Sequence, residues 1–149
     1  MSYVTYEVRV YDNGDKIWYL NGKRHREDGP AIEGANGYKE WRLNGVLHQE
    51  DGPAIEYSTG TKAWYLNGQR HREDGPAVEY TNGSKEWWIN GKLHREDGPA
   101  IEYSDGYKSW WINGKMMSEE EHRKQTQNDQ SCSGKVVEID GKQYKLMEV

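Results

Sequence analysis

The sequence predicts an all-β protein, an elongated antiparallel meander of stacked β-hairpin repeats with a short C-terminal helix and a terminal hairpin. Two observations predict this fold class. The run His-Arg-Glu-Asp-Gly-Pro-Ala recurs every 23 residues, from His25, His71 and His94, and with Gln for Arg from His48. A Trp-containing segment that ends in Leu or Ile and Asn-Gly recurs at the same period. A fixed period of this length is typical of arrays in which small supersecondary units stack on their neighbours.

Each unit contains two strand-like runs on either side of a turn sequence. In the third unit, residues 54–67, the turn is Thr59-Gly60, and the other units have Asn-Gly or Asp-Gly there. Asn-Gly and Asp-Gly favour two-residue hairpin turns because both residues must adopt positive φ. With such a turn Ile55 faces Trp64, and alternation assigns the apolar residues to one face, which we predict is the core. That predicted core face carries Ile55, Tyr57, Trp64 and Leu66 in this unit.

The opposite face of the predicted hairpins combines uniform positions with variable ones. The uniform positions include a glutamate ladder, which consists of Glu33, Glu56, Glu79 and Glu102. The variable row consists of Tyr19, Arg42, Tyr65, Trp88 and Trp111. Since Trp, Tyr and Arg most often anchor interfaces, we predict that the variable row binds a partner and that the glutamate ladder adds polar specificity. The alternative is that loops or the tail cover this face as a second core layer.

The domain organisation follows from where the repeat pattern holds and where it fails. Residues 1–115 form the array of five units, of which the first and last are degenerate, as expected for terminal repeats. Capping-box spacing from Ser118 to Glu121 predicts a short helix within 116–127. Residues 128–134 resemble a linker, and residues 135–149 alternate as a terminal hairpin. This tail either covers the open edge of the sheet or binds a partner. The connecting loops are expected to cover the Trp-bearing face.

Composition and charge narrow the classes of partner. The net charge is −5 with Lys and Arg spread through the repeats, so no basic run predicts binding to double-stranded nucleic acid. No apolar segment has the length of a signal core or a membrane span, so no membrane partner is expected. Cys132 is the single cysteine, which excludes an internal disulfide and favours a cytoplasmic setting. If the protein is viral, that setting is the cytoplasm of the host cell.

The repeated His, Glu and Asp side chains raise the question of a metal or catalytic site. Equivalent atoms in adjacent units would lie roughly 10 Å apart, whereas zinc ligands lie about 2 Å from the metal. An active site also needs unlike groups in one unique place, which a unit used four times does not supply. We therefore predict no catalytic residue, metal or cofactor. The Asp before Gly-Pro is expected to bond the turn backbone, and His, Arg and Glu to satisfy one another and neighbouring strands.

The run Asn-Gly-Lys-Leu-His…Gly-Pro-Ala-Ile-Glu-Tyr-Ser-Asp-Gly-Tyr-Lys, at its 23-residue period, resembles MORN repeats over about residues 8–115. It departs from them at the loop, where MORN units usually have Gly soon after the His and this chain has Arg-Glu-Asp-Gly-Pro. That variant is similar to a repeat in proteins of tailed phages and giant viruses. The resemblance implies a binding scaffold and no catalyst, and because of the departure we carry over no lipid-binding role.

Two functional hypotheses follow. The first is a non-enzymatic binding protein, in its sharper form a phage accessory factor that binds and inhibits a host cytoplasmic protein, including one of antiviral defence. The second is a sponge that sequesters a small nucleotide signal or single-stranded nucleic acid by stacking bases on the aromatic row. Both leave open a homo-oligomer formed through the sheet edge or the C-terminal tail.

Overall fold

The structure is a computed structural model that describes residues 5–130, 136–139 and 142–145. It confirms the predicted fold class, because hairpins build one 12-stranded antiparallel sheet that is followed by helix α1, Glu119–Gln130. The strands are Tyr6–Val10 (β1), Lys16–Leu20 (β2), Lys23–Arg24 (β3), Ile32–Glu33 (β4), Lys39–Glu40 (β5), Arg42–Leu43 (β6), Val46–Leu47 (β7), Ile55–Glu56 (β8), Lys62–Ala63 (β9), Tyr65–Leu66 (β10), Gln69–Arg70 (β11), Val78–Glu79 (β12), Lys85–Glu86 (β13), Trp88–Ile89 (β14), Lys92–Leu93 (β15), Ile101–Glu102 (β16), Lys108–Ile112 (β17), Lys115–Met117 (β18), Val136–Ile139 (β19) and Lys142–Lys145 (β20). The sheet order is β1-β2-β4-β5-β8-β9-β12-β13-β16-β17-β18, and the twelfth strand, β3, pairs with β2 beside this path. Each unit therefore adds its strands to the sheet in chain order.

Each interior unit contains two turns, and the tight turn is not the one that we predicted. Asn67-Gly68 has φ values of 49° and 80°, as a two-residue turn between β10 and β11 requires. At Thr59-Gly60 only the glycine has positive φ, 91°. There Tyr57 N–H donates to the Thr61 carbonyl, and Gly60 N–H donates to the Tyr57 carbonyl. The predicted two-residue turn is therefore a three-residue loop, and the tight turn lies in the segment that we assigned to the connection between hairpins.

The longer loop changes the pairing register by one residue. Ile55 pairs with Ala63 and not with Trp64. Cross-strand partners project to the same face, so a shift of one residue moves a whole strand's side chains to the other side. The predicted division of residues between the two faces is therefore wrong. One face carries Ile55, Tyr57, Ala63 and Tyr65, and the other carries Ala54, Glu56, Trp64 and Leu66.

We call the first of these the tyrosine face, because it exposes Tyr11, Tyr57 and Tyr103. A small core cluster of buried apolar side chains lies on this face in the middle of the array. It consists of Ile55, Ala63 and Val78, and five partly buried side chains pack against these three residues. Those five are Tyr38, Leu47, Tyr65, Tyr80 and Trp88. Two members of the variable row thus border the core.

We call the opposite side the loop face, because the connecting loops cover its tryptophans, as expected. Arg72 lies over Trp64, with Cζ 4.1 Å from the ring centroid. The same guanidinium donates to Asp74 at 2.9 Å and to Glu79 at 2.8 Å. Arg26 and Arg95 repeat this arrangement over Trp18 and Trp87. The expected tryptophan core is therefore half-buried, and an arginine covers each of these rings.

Exchange of the residue at the arginine position should change stability in opposite directions in two units. Arg72→Gln removes the guanidinium group that covers Trp64 and donates hydrogen bonds to two carboxylates. We therefore expect a loss of about 1–3 kcal/mol in the free energy of unfolding. The second unit naturally has Gln49 at this position, and Glu56 of the third unit pairs with Lys39 at 3.4 Å instead of with an arginine. Gln49→Arg should therefore stabilise the chain by about 1 kcal/mol. Urea denaturation measures both changes, and an unchanged midpoint in both variants would contradict this account.

The repeated histidines connect each unit to the next. In every case the Nδ1 atom accepts the backbone N–H of the asparagine in the following tight turn. The pairs are His25 with Asn44, His48 with Asn67, His71 with Asn90 and His94 with Asn113, at 2.9 to 3.3 Å. The histidines thus have the structural role that we expected, and they join neighbouring units through hydrogen bonds to backbone.

The C-terminal helix begins where the capping box predicted. Ser118 N–H donates to Glu121 Oε2 at 2.8 Å, and Glu121 N–H donates to Ser118 Oγ at 3.2 Å. The helix continues to Gln130, beyond its predicted end at Gln127. His122 joins it to the last loop through a 2.6 Å hydrogen bond from Nε2 to the Arg95 carbonyl. Strands β19 and β20 form the predicted terminal hairpin. Cys132 and the turn at 140–141 lie outside the described residues.

Candidate functional site

The structure places the whole variable row on the tyrosine face, where all five side chains are half-buried. It places the glutamate ladder on the loop face, so the predicted adjacency of the two sets is wrong. Each glutamate of the ladder forms an ion pair with an arginine or lysine of the same chain. Glu79, for example, lies between Lys62 and Lys85 on the two flanking strands and also pairs with Arg72. The two sets of predicted contact residues therefore do not form one surface.

A buried carboxylate organises the variable row in the fourth unit. The Glu86 side chain is 10% exposed. It accepts hydrogen bonds from the Tyr80 hydroxyl at 3.0 Å, from Trp88 Nε1 at 2.9 Å and from Arg70 Nη1 at 3.3 Å. Arg70 also lies over the Trp88 ring, at 5.1 Å, and donates to the Tyr65 hydroxyl at 3.2 Å. Glu86 and Arg70 thereby hold Tyr65 and Trp88 in fixed orientations.

A related cluster occurs two units earlier on the same face. Glu40 is buried and accepts hydrogen bonds from the Tyr38 hydroxyl and from Arg42 Nε. Arg42 also donates to the Gly45 carbonyl at 2.7 Å. The cation of this member of the variable row is therefore paired within its own unit. In the third unit, between the two clusters, the position of the glutamate is occupied by Ala63.

The small side chain of Ala63 leaves a recess in the tyrosine face. The recess has a volume of about 230 Å³ and lies between Tyr57 and Tyr80, with Arg70 among its lining residues. Pockets for small-molecule ligands usually measure roughly 300–1,000 Å³. This recess is smaller, and its size suits a single inserted side chain better than a whole ligand.

Exposed tyrosines on this face are candidate interaction residues that the sequence analysis did not identify. Tyr11, Tyr57 and Tyr103 occupy the same repeat position in the first, third and fifth units and are 40–44% exposed. Tyr107 stacks on Tyr103 with ring centroids 5.7 Å apart. The two-residue turn assigns Tyr57 to the predicted core face, and it does the same for Tyr103 at the equivalent position of the fifth unit. A three-residue loop, which Gly at its third position also favours, would have placed them beside the variable row.

Ionisation of Tyr80 should make stability fall at alkaline pH. Burial, then the hydrogen bond and charge of Glu86, raise the pKa of Tyr80 to about 12 from an ordinary value of 10.0. Burial and the bond to Glu40 also raise the pKa of Tyr38. Between pH 10 and 12 the unfolded chain has released a proton that the folded chain retains at Tyr80. The contribution of this group to the free energy of unfolding is therefore fully present below pH 10 and is lost as the pH rises through this window.

Thermal unfolding at a series of alkaline pH values, together with tyrosinate absorbance, measures this effect. Tyr80→Phe should show a shallower loss of stability over that range, since the variant has no proton to retain at this position. The same dependence on pH in both proteins would contradict the assignment.

The loop face has larger recesses, of which one of about 720 Å³ lies beside Trp64. Its charge does not suit a phosphate group, because its lining includes Glu50, Asp51, Glu73 and Asp74. The one nearby guanidinium in that lining, Arg72, is already bonded to Asp74 and Glu79. Among the described residues, no three His, Cys, Asp or Glu side chains are grouped so that they could hold a metal ion.

The sequence matches no protein-family model and no curated protein. The resemblance to MORN repeats therefore stays a prediction, whereas the hairpin architecture is observed. Within the part of the chain that the structure describes, no helix has the length and apolar character needed to cross a membrane.

Proposed function

We propose that this chain is a non-enzymatic scaffold that binds another protein through its tyrosine face. The observation that carries the proposal is the row of exposed tyrosines at one repeat position, next to the variable row and the recess at Ala63. Tyr, Trp and Arg are the side chains that most often dominate binding energy. Tyrosine also loses little conformational entropy on binding, because it has two side-chain torsions.

The two buried glutamates support the same proposal. Glu86 fixes Trp88 and Tyr80 through hydrogen bonds, and Glu40 fixes Arg42. Side chains that are held in place before binding lose less freedom in the complex, so preorganisation increases affinity. A large side chain of the partner would enter the recess at Ala63, where tyrosine rings would contact it on two sides.

A sharper form of the proposal concerns the kind of partner. The resemblance of the His-Arg-Glu-Asp-Gly-Pro-Ala repeat to phage and giant-virus proteins supports an accessory factor that acts in the host cytoplasm and inhibits a host protein, including one of antiviral defence. This step is an analogy, because a fold does not determine a function. The nucleotide-sponge alternative has less support, because the recess at Ala63 on the tyrosine face is small and the recess beside Trp64 on the loop face is lined by four acidic residues.

The test uses substitutions at positions whose wild-type side chains are exposed. A protein captured from host-cell extract by the wild-type chain is purified, and its dissociation constant is measured by calorimetry. Tyr57→Ala and Tyr103→Ala should each weaken binding by about tenfold, the cost of losing roughly 1.4 kcal/mol. Trp88→Ala is unsuitable as a first test, because Trp88 packs against the core and its loss would also change stability.

Matched controls come from exposed lysines on the loop face. Lys62→Ala and Lys108→Ala should leave the dissociation constant unchanged, and all four variants should unfold near the wild-type temperature. If binding survives both tyrosine substitutions but is lost in the lysine variants, the loop face is the interface. A nucleotide that copurifies with the chain and shifts its unfolding temperature would favour the sponge.

A further inference from the structure

Strand β1 forms one edge of the long sheet, and no described strand pairs with its outer side. All five of its residues are exposed, including Tyr6 at 41%, Val8 at 46% and Val10 at 67%. An exposed edge with apolar side chains is a ready template for another strand, and soluble proteins usually protect such edges. At the opposite end of the array, helix α1 follows the last strand and packs on β17. The two ends of the array are therefore not equivalent.

The hydrogen-bonding groups on the outer side of β1 can be identified. Tyr11 N–H donates to the Asp15 carbonyl at the start of the hairpin loop. Bonded and non-bonded pairs alternate along antiparallel strands, so Arg9 and Glu7 exchange bonds with β2. The N–H and carbonyl groups of the three remaining residues then point away from β2. Those residues are Tyr6, Val8 and Val10.

The sequence of this edge is complementary to itself. In an antiparallel pair centred on Val8, Val8 meets its own copy, Tyr6 meets Val10 of the second chain, and Glu7 meets Arg9 of the second chain. The charged pairs lie on one side of the strands and the apolar pairs on the other. Opposite charges and aromatic with β-branched pairs are the cross-strand combinations that stabilise sheets. The outward backbone groups are those that this register would bond.

We propose that two copies of this chain associate through β1, antiparallel and centred on Val8, so that their sheets become continuous. The two-fold axis lies perpendicular to the sheet, and each face of one copy therefore continues into the same face of the other. The tyrosine faces would then form one surface of doubled length, on which a symmetric or repeated partner gains avidity. Dimer formation does not depend on the proposed function, and the two proposals are tested independently.

Sedimentation velocity of the full chain over a range of concentrations provides the first test. The wild type should form a dimer. A chain that stays monomeric at concentrations up to about 1 mM would overturn the proposal. A dissociation constant of about 1 mM corresponds to roughly 4 kcal/mol of binding free energy. Val8→Pro removes the outward N–H but no bond to β2, since proline is tolerated where the N–H of an edge strand faces solvent. The central pair of hydrogen bonds is lost, so we expect dissociation to increase about a hundredfold.

Charge exchange provides the second test and distinguishes this register from other contacts. Glu7→Arg places Arg opposite Arg9 of the second copy, and Arg9→Glu places Glu opposite Glu7, so each single variant should dissociate. The double variant with both changes restores opposite charges and should dimerise again. Thermal unfolding confirms that each variant is folded. A dimer that withstands Val8→Pro and both single variants forms elsewhere, for example through the C-terminal tail, and would overturn the proposal.

Discussion

Ala77→Leu is expected to lower the free energy of unfolding by about 3 kcal/mol and the Tm by roughly 10 °C. Ala77 is 0% exposed, as are Ala31, Ala54 and Ala100 at the same position of the other units. Its carbonyl accepts the N–H of Trp64 at 2.8 Å, so two consecutive units meet at this residue. A larger side chain must separate them or leave its preferred rotamer. Either response affects the contact on which stacking of the array depends.

Ala35→Leu is the matched control for this substitution. Ala35 is exposed, so the added methyl groups enter solvent and stability should change by no more than about 0.5 kcal/mol. Thermal and urea unfolding of both variants measure the difference between them. Similar losses at the two positions would show that the close contact between units does not limit the size of residue 77.

Glu86→Ala is expected to destabilise the chain by about 2–3 kcal/mol. The substitution removes the acceptor of Tyr80, Trp88 and Arg70 together. Removal of one partner from a buried ion pair typically costs roughly 3–5 kcal/mol. The expected loss is smaller here because the Arg70 side chain is 35% exposed, so solvent screens part of its charge.

A second substitution should recover part of this loss. One repeat earlier along the chain, Leu47 and Ala63 occupy the positions of Arg70 and Glu86, and both belong to the apolar cluster. Arg70→Leu combined with Glu86→Ala places the same apolar pair at the later positions. The double variant should be more stable than the sum of the two single losses predicts, by about 1 kcal/mol or more. Additive losses in urea denaturation would show that Arg70 and Glu86 act independently.

The sequence was informative about the repeat and its turn residues, and it was misleading about which turn is tight. Asn-Gly occurs at both turns of several units, and composition does not distinguish Asn82-Gly83 from Asn90-Gly91. In the structure both residues of the second pair have positive φ, whereas at the first pair only the glycine does. One extra loop residue then changed the partner of Ile55 from Trp64 to Ala63. The members of the variable row do share one face, but the neighbours that the sequence analysis gave them were wrong.

The period of 23 residues, the hairpin units and the helix start at Ser118 follow from the residues alone, because they depend on local turn chemistry, alternation and capping. The assignment of side chains to the two faces does not, because it depends on hydrogen bonds between strands that no local pattern specifies. Contacts between units also required the tertiary structure. Only there do Arg72 meet Trp64 and Glu86 meet Arg70, and only there does the outer edge of β1 lie without a partner among the described strands. These pairings join residues that are distant along the chain, and packing of the folded array decides them.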